Sequence, residues 1–322
     1  MNPTVSLLVP AFNRADLLVP CLDSALAQTM PDFEVVVVDG ASTDGTWDVC
    51  LRYAAADPRV RVFRDPVNTG PVRGWWRCVE EARGTYATFL WSDDMIGPHF
   101  LQRTVEVMSR ADVGFAFTAA EIGPHPGAGT ISYAQRSRLM PSEEFIEGSL
   151  SGTGGYPVSP ACALFRLADV RQSFMMELPT EPAIDLTATG AGTDVLLYLL
   201  TARRYPLVAC LSEPLAFFRA HPGSITVQGR GGEVTLGYAL AMSWFARING
   251  HRRLAGRILA RQWLHEMRTA RRFVRPTVAA TRYGNVIGAG ALVAAAPVYI
   301  AHRIWRAAAA PFRRRESVGD RS

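Results

Sequence analysis

The run from Phe33 to Val38 is nearly all β-branched, with four valines in succession. A strand of that kind is covered on both faces, so it demands helices above and below a sheet. It also sits in a series. Val5 to Val9 reads as a second buried strand, and Leu17, Leu18, Cys21, Leu22, Ala25 and Leu26 follow at helical spacing. A helix is expected from about Thr46 to Ala56, with Asp44 as a cap residue. Val60 to Phe63 is a short strand, and Pro71 to Ala82 reads as a helix with proline at an early position. The strand from Thr85 to Trp91 then leads through Ser92 into Asp93 and Asp94. Strand–helix units in series imply an α/β fold with a mostly parallel central sheet.

In such a sheet the ligand lies outside the carboxyl ends of the strands. Those ends carry Pro10, Phe12, Asn13 and Arg14, then Asp39, Ser42 and Asp44, then Asn68, Gly70, Pro71 and Arg73, and finally Asp93 and Asp94. Acids suit base or ribose hydroxyls, arginine suits phosphate, and paired acids suit a divalent ion bridging phosphates. Asp39 and Asp44 also read as turn and cap residues.

Further along, the pattern loosens from Glu121 to about Gly155, and the Gly148 to Gly155 stretch reads as a flap or a linker. Tyr156 to Phe165 is an expected strand, Val195 to Ala202 an apolar helix opened by Thr193-Asp194, and Val208 to Leu211 and Leu215 to Arg219 two more strands. A length of 322 residues with 48% apolar content suits one large domain with an appendage. The five cysteines are scattered, with no C-x-x-C pair, so neither a zinc site nor a disulfide framework is read. All 34 basic residues are arginine, which excludes a Walker-type lysine and a Schiff-base lysine. No basic residue precedes Val5 to Val9 and Pro10 cuts the run off, unlike a secretory leader, so the catalytic part is expected in the cytosol.

The strand-end residues together resemble those of the family 2 glycosyltransferases. The resemblance is carried by Val9-Pro10-Ala11-Phe12-Asn13-Arg14, by Val37 to Thr46, by Asn68 to Arg73, by Ala82 to Tyr86 running into Ser92-Asp93-Asp94, by Gly192-Thr193-Asp194, and by Phe218 to Thr226. It runs from about Val5 to Thr226 and implies the nucleotide-sugar-binding GT-A fold as a single domain. It implies that Pro10, Asn13, Asp39 and Asp44 hold the nucleoside, with Asp93 and Asp94 on metal and diphosphate; the strand-end reading adds Arg14, Asn68 and Arg73 to the nucleotide-binding set, and the charge pattern places a helical basic tail behind the domain. Asp194 would be the general base, and His221 would lie near the diphosphate or metal. One departure stands out: the family's acid-x-acid motif begins here with Trp91.

The chemistry asks for the same parts. A magnesium or manganese ion on Asp93 neutralises the leaving diphosphate as a Lewis acid. The acceptor hydroxyl needs an aligned base, and one base with direct displacement inverts the anomeric centre. From spacing alone Asp194 is an N-cap or a base, and His221 is a turn residue or a metal or phosphate contact.

Charge is divided unevenly. Residues 1–246 hold 18 Arg against 26 acids, and residues 247–322 hold 16 Arg against 3. Arg253, Arg257, Arg261, Arg268, Arg272 and Arg275 share one side of a helix, with Ile258, Leu259, Trp263, Met267, Phe273 and Val274 on the other. Pro276 should end it. Such a helix fits an anionic membrane surface, or packs on the catalytic domain with a solvated arginine face. The uncharged run Val286 to Ala301 is shorter than the roughly 20 residues a spanning helix needs. It reads as an interfacial or re-entrant segment, or as a helix buried in a dimer. Arg282, Arg303, Arg306 and Arg313 to Arg315 would meet headgroups. No nucleic-acid motif accompanies the charge.

The resulting expectation is a nucleotide-sugar-binding half over 1–120, an acceptor half over 121–228 and an arginine-rich tail over 229–322. The whole would be an inverting transferase, peripheral at the inner face of the cell membrane, acting on a lipid-linked or cell-surface glycan. The alternative is a non-catalytic membrane scaffold that keeps the fold.

Overall fold

The computed structural model describes residues 2–224, 231–270 and 275–297. The chain divides into two compact units, residues 1–177 with 185–237 and residues 178–184 with 238–322.

The first unit opens with β1 (Val5–Ala11), α1 (Ala15–Leu26), β2 (Phe33–Asp39), α2 (Thr46–Ala56), β3 (Val60–Arg64), α3 (Pro71–Glu81) and β4 (Tyr86–Phe89). It continues with β5 (Met95–Ile96), α4 (Phe100–Met108), β6 (Val113–Gly123), β7 (Thr130–Ser132), β8 (Arg138–Pro141) and α5 (Ser142–Ser151). After β9 (Ala163–Arg166) and α6 (Leu167–Ser173) the chain passes through β10 (Glu177–Leu178) and β11 (Ile184–Asp185), which bracket the residues 178–184 of the second unit, and returns with α7 (Thr193–Ala202) and β12 (Leu207–Arg219). The main sheet runs β3-β2-β1-β4-β9-β6-β12-β5, with β7 on β6 and β8 on β12. Its first four strands are parallel, as the serial pattern required. β9 lies antiparallel between β4 and β6, and β12 pairs parallel with β6.

The valine run is buried on both faces. Val35 and Val37 join Leu7, Val9, Leu18, Leu22 and Val49 in one core cluster. Val36 and Val38 are equally buried on the opposite face, where α3 packs on β1 and β2.

At the amino edge of the parallel strands a buried carboxylate fixes their register. Glu34 on β2 faces Ser6 on β1 in the ladder. It accepts Ser6 Oγ–H at 2.6 Å, Arg61 Nη1–H from β3 at 2.8 Å and the Arg83 N–H at 2.7 Å. Ser6 Oγ in turn accepts the Gly84 N–H at 2.9 Å, just before β4. A Cβ on Gly84 would stand 2.6 Å from the Ser6 nitrogen, so only glycine allows this approach.

Three expectations are modified. The two strands expected at Val208 to Leu211 and Leu215 to Arg219 are one bulged strand, β12, whose register shifts on either side of Pro214. Proline has no N–H for the ladder, so the strand bends there and pairs β8 before it and β5 after it. The strand expected from Tyr156 shrinks to β9, because Pro157 and Pro160 break the ladder and a 3-10 turn, Pro160–Cys162, precedes it. The Gly148 to Gly155 stretch is the capped end of α5, with Gly152 left-handed and the Tyr156 ring lying against Gly148 and Gly154. β6 has no counterpart among the expected strands, because glycine and alanines dilute its β-branched signal.

The second unit is helical. α8 (Gly231–Ile248) runs into it, followed by α9 (Arg252–Ala270), α10 (Pro276–Arg282) and a helical stretch at 289–297. On α9, Arg253, Arg257, Arg261 and Arg268 are exposed while Ala255, Leu259 and Trp263 are buried. Pro276 opens α10 at its first turn. Arg272, Phe273, Val274, the end of the Val286 to Ala301 run, and Arg303 to Arg315 lie outside the described residues. Val286 and Leu292 are buried, and no described helix is long and apolar enough to cross a membrane.

Glu34→Ala would leave Ser6 and the Arg83 N–H without this acceptor and Arg61 with Glu81 alone, at a cost of about 2–4 kcal/mol. Glu34→Gln keeps an oxygen for Ser6 and Arg83 and should cost less. Urea unfolding of both variants checks the order.

Candidate functional site

The loops after β1 and β2 are built against each other. Asn13 and Ala41 both adopt left-handed backbone, with φ of 50° and 62°. The Asn13 N–H donates to Ser42 Oγ at 2.9 Å, and Asn13 Oδ1 accepts the Thr43 N–H at 2.9 Å. Asp39 is fully buried at the end of β2. It accepts the Ser42 N–H at 3.2 Å and meets Arg64 Nε at 3.2 Å. Asp44 accepts the Thr46 N–H at 2.9 Å and the Ala15 N–H at 3.2 Å, so it braces the starts of both α1 and α2. Partial burial pushes its carboxyl up, but the hydrogen bonds from Thr46 and Ala15 outweigh this and hold it below the usual range. Pro10 is half-buried at the end of β1, below Gly74 of α3.

A second cluster forms where β4 and β12 end. Asp93 Oδ2 lies 2.8 Å from His221 Nε2. His221 Nδ1 accepts the Gly223 N–H at 3.1 Å, which leaves Nε2 as the nitrogen carrying hydrogen toward Asp93. Arg219 Nε donates to the Asp93 carbonyl at 3.1 Å, and the Arg219 N–H donates to Asp94 Oδ1 at 2.8 Å. Asp94 is buried. Burial first, and Asp93 second, push its carboxyl well above the usual range, against the pull of Arg219. Arg14 ties the two clusters together, donating from Nη2 to the Gly223 carbonyl at 3.1 Å and from Nη1 to the Asn13 carbonyl at 3.0 Å.

Asp93 and His221 are each partly exposed, at 18% and 17% of their side-chain surface. Among the described residues no three His, Cys, Asp or Glu side chains group to hold a metal. One accessible carboxylate with an imidazole beside it falls short of an all-protein cage. It does fit an ion that completes its shell from phosphate oxygens and water.

Asp194 sits in the first turn of α7 and is buried. Its Oδ1 accepts the Gly192 N–H at 2.9 Å and the Val195 N–H at 2.7 Å. The segment before it packs on an aromatic wall. A Cβ on Gly190 would stand 1.9 Å from the Trp75 ring, and Trp75 packs at a tilt against Trp91 with centroids 4.6 Å apart. Trp91 Nε1 donates to Ser159 Oγ at 2.9 Å, and the Tyr198 hydroxyl on α7 donates to the Ser159 carbonyl at 2.9 Å.

Asn13, Arg14, Asp39, Asp44, Asp93, Asp94 and His221 are thus joined by direct contacts or through Arg14 and Arg219. Asn68 accepts the Gly70 N–H at 2.8 Å and reaches the Gly40 turn. Arg73 stands apart, exposed on α3, lining an open cleft of about 280 Å³ with Asp65, Trp76, Arg77 and Glu80. Sequence reasoning passed over Arg64, Arg219 and Ser159. Arg219 was within reach, two residues before His221 on the same strand end; Ser159 gave no signal.

Residues 6–174, just over half of the chain, match Glycosyl transferase family 2, and the chain belongs to that family. TuaG of Bacillus subtilis (strain 168), named for teichuronic acid biosynthesis, is 28% identical over 151 residues, 47% of this chain and 60% of TuaG. The first curated relatives are matched over 60% or less of their own length. The structure of S. aureus TarS 1–349 in complex with UDP-GlcNAc superposes with a TM-score of 0.60 at 16% identity, covering 94% of this chain and 92% of that one. The mannosyltransferase PcManGT from Pyrobaculum calidifontis, in complex with GDP-Man and Mn2+, gives 0.52 at 16% identity, covering 93% and 88%. At these identities the likeness is one of fold, and the GT-A expectation holds.

Asp94 gives a pH prediction. The unfolded chain ionises an aspartate near 3.8, while the folded chain keeps the Asp94 proton to higher pH. Below that value both states hold the proton and Asp94 carries no penalty. As pH rises the unfolded state releases it first, so stability falls until the folded carboxyl ionises too. Asp94→Asn keeps an acceptor for the Arg219 N–H and removes this linkage. Its Tm should exceed that of the wild type at about pH 7 and converge with it near about pH 4. Thermal unfolding at the two pH values checks this, and a deficit at the higher one would contradict it.

Proposed function

We propose that the chain transfers a sugar, with inversion, from a nucleotide-diphosphate donor to a hydroxyl of a lipid-linked or cell-surface glycan. The observation that supports this best is the Asp93–His221 pair at the β4 and β12 ends, braced by Arg219 and joined through Arg14 to the loops after β1 and β2. On this reading residues 1–120 form the nucleotide half, 121–228 the acceptor half and 229–322 the tail. Pro10, Asn13, Arg14, Asp39, Asp44 and Asn68 frame the nucleotide, and Arg73, exposed on α3, stands outside that frame. Asp39 and Asp44 act by holding the loops in shape, since their oxygens bind backbone N–H groups and Arg64.

A magnesium or manganese ion on Asp93, beside His221, would supply Lewis-acid neutralisation of the diphosphate. Asp94 supports that loop from beneath. Asp194 takes the acceptor proton, because a sugar hydroxyl is too weak an acid to ionise unaided near neutral pH. The helix start at α7 orients its carboxylate through the Gly192 and Val195 N–H groups. The polysaccharide acceptor is supported by TuaG, and the donor class by the nucleotide-sugars in the TarS and PcManGT complexes.

Asp93→Ala and Asp194→Ala should each lower transfer by about a hundredfold or more, the scale of a lost acid–base or electrostatic group. Calorimetry with UDP, GDP and dTDP, with and without Mn2+, should find one nucleotide whose binding the ion strengthens. Binding with no turnover would mark a scaffold, and full activity in both variants would overturn the site.

We place the protein at an anionic membrane surface through α9. Its apolar side is buried within the protein, so attachment is by charge, through Arg253, Arg257, Arg261 and Arg268. Flotation with phosphatidylglycerol-containing vesicles should recover the protein at low salt and lose it at about 0.5 M, where screening is short-ranged. Recovery with purely zwitterionic vesicles would contradict a charge-based surface.

A further inference from the structure

Trp91 occupies the place where the family resemblance sets an acid, yet its indole is partly buried and held by several contacts. It packs against Trp75 with centroids 4.6 Å apart and planes tilted by 34°, and Phe89 lies at 5.4 Å. The ring N–H donates to Ser159 Oγ, and the Trp91 carbonyl accepts Cys21 Sγ–H at 3.4 Å. Two of these contacts lead to α7 by separate routes. Ser159 takes the Trp91 N–H on its hydroxyl and the Tyr198 O–H on its carbonyl. Tyr198 is fully buried and one helical turn beyond Asp194, on the same face. By the other route Trp75 lies against Gly190, whose left-handed φ of 75° and lack of a side chain permit the contact. The Gly190 carbonyl then accepts the Asp194 N–H at 3.3 Å.

We propose that Trp91 is a positioning residue: its indole sets the start of α7, and with it Asp194, relative to Asp93 two residues along the chain. This rests on the reading of Asp194 as base and Asp93 as the ion's carboxylate. An aspartate at position 91 has no stacking face and reaches neither Ser159 nor Trp75 in the same way. The tryptophan is therefore a working part of this chain's site and not a degraded acid motif. In-line transfer tolerates little misplacement of a base, and a shift of about 1 Å can cost a hundredfold.

A mutant cycle with steady-state transfer kinetics tests this. Trp91→Phe keeps an aromatic ring, though a smaller one, and removes the N–H, and Ser159→Ala removes its acceptor. Each should lower kcat for transfer about three- to tenfold, the worth of one hydrogen bond. The donor KM should stay within about twofold, because on this proposal the two residues act through Asp194 and not on the donor. The double variant should be no worse than either single one, since both remove the same bond. Trp91→Asp should lose more than tenfold in kcat, roughly the loss of stacking and bond together. Where Trp91→Asp fails to fold, the Phe and Ala pair carries the test alone. Multiplying effects in the double variant, a change confined to donor KM, or a Trp91→Asp enzyme as active as the wild type would each overturn the proposal. Asp194→Ala, run alongside, separates the two readings. Full transfer there sinks the base assignment, whereas lost transfer there with a silent or additive Trp91–Ser159 cycle sinks the positioning role.

Discussion

Everything at the functional edge of the sheet depends on a carboxylate at the opposite edge. Glu34 binds groups from β1, β3 and the approach to β4 at once. In a parallel sheet a slip of one residue turns every side chain to the other face. The valine run of β2 resists such a slip weakly, because Val35 to Val38 are equally apolar on both faces. A polar group that finds its partners in one register alone supplies what the valines cannot. Buried ion pairs add little net stability compared with apolar packing, and their value lies in specifying one arrangement. Here the arrangement brings Ala11, Asp39 and Arg64 to matching heights at the far end.

From that alignment the four carboxylates near the site take different tasks through their surroundings. Asp39 and Asp44 spend their oxygens on backbone N–H groups and Arg64, so they shape loops. Asp94 turns inward, where burial and its neighbour favour the protonated form. Asp93 keeps a partly open side chain, with one oxygen aligned by His221. Sequence position alone does not separate these roles. Depth and hydrogen-bond partners do.

The parallel half of the fold was legible because each unit carries a complete periodic signal: a β-branched run, a turn, then an amphipathic helix. β6 was not, because Gly114 and its alanines are buried by tertiary contact and not by their own preference. Pro214 was legible as a break but not as a bulge, since its outcome depends on which strands lie alongside. The strand-end residues were found by topology, which needs no side-chain geometry. The partners Arg64, Arg219 and Ser159 were not, because what matters about them is which atom they reach across the fold. Arg73 met the right composition at the right strand end, yet α3 presents it to solvent, since the helix phase decides which side a residue faces.

The site's electrostatics also bear on the tryptophan that stands in the acid motif. Two neighbouring carboxylates, one of them buried, do not both ionise readily in a low-dielectric pocket. Burial pushes Asp94 toward its protonated form, and the carboxylate left partly open is that of Asp93, set against the Nε2 hydrogen of His221. A third acid at position 91 would add a negative charge beside a group already driven toward its neutral form. Trp91 avoids that repulsion and replaces it with stacking and one directed hydrogen bond. A lone accessible carboxylate binds a divalent ion weakly by itself and better when diphosphate oxygens share the shell. What the fold contributes at Asp93 is alignment more than charge: one partly open carboxylate held by His221 and by Arg219 on its own carbonyl.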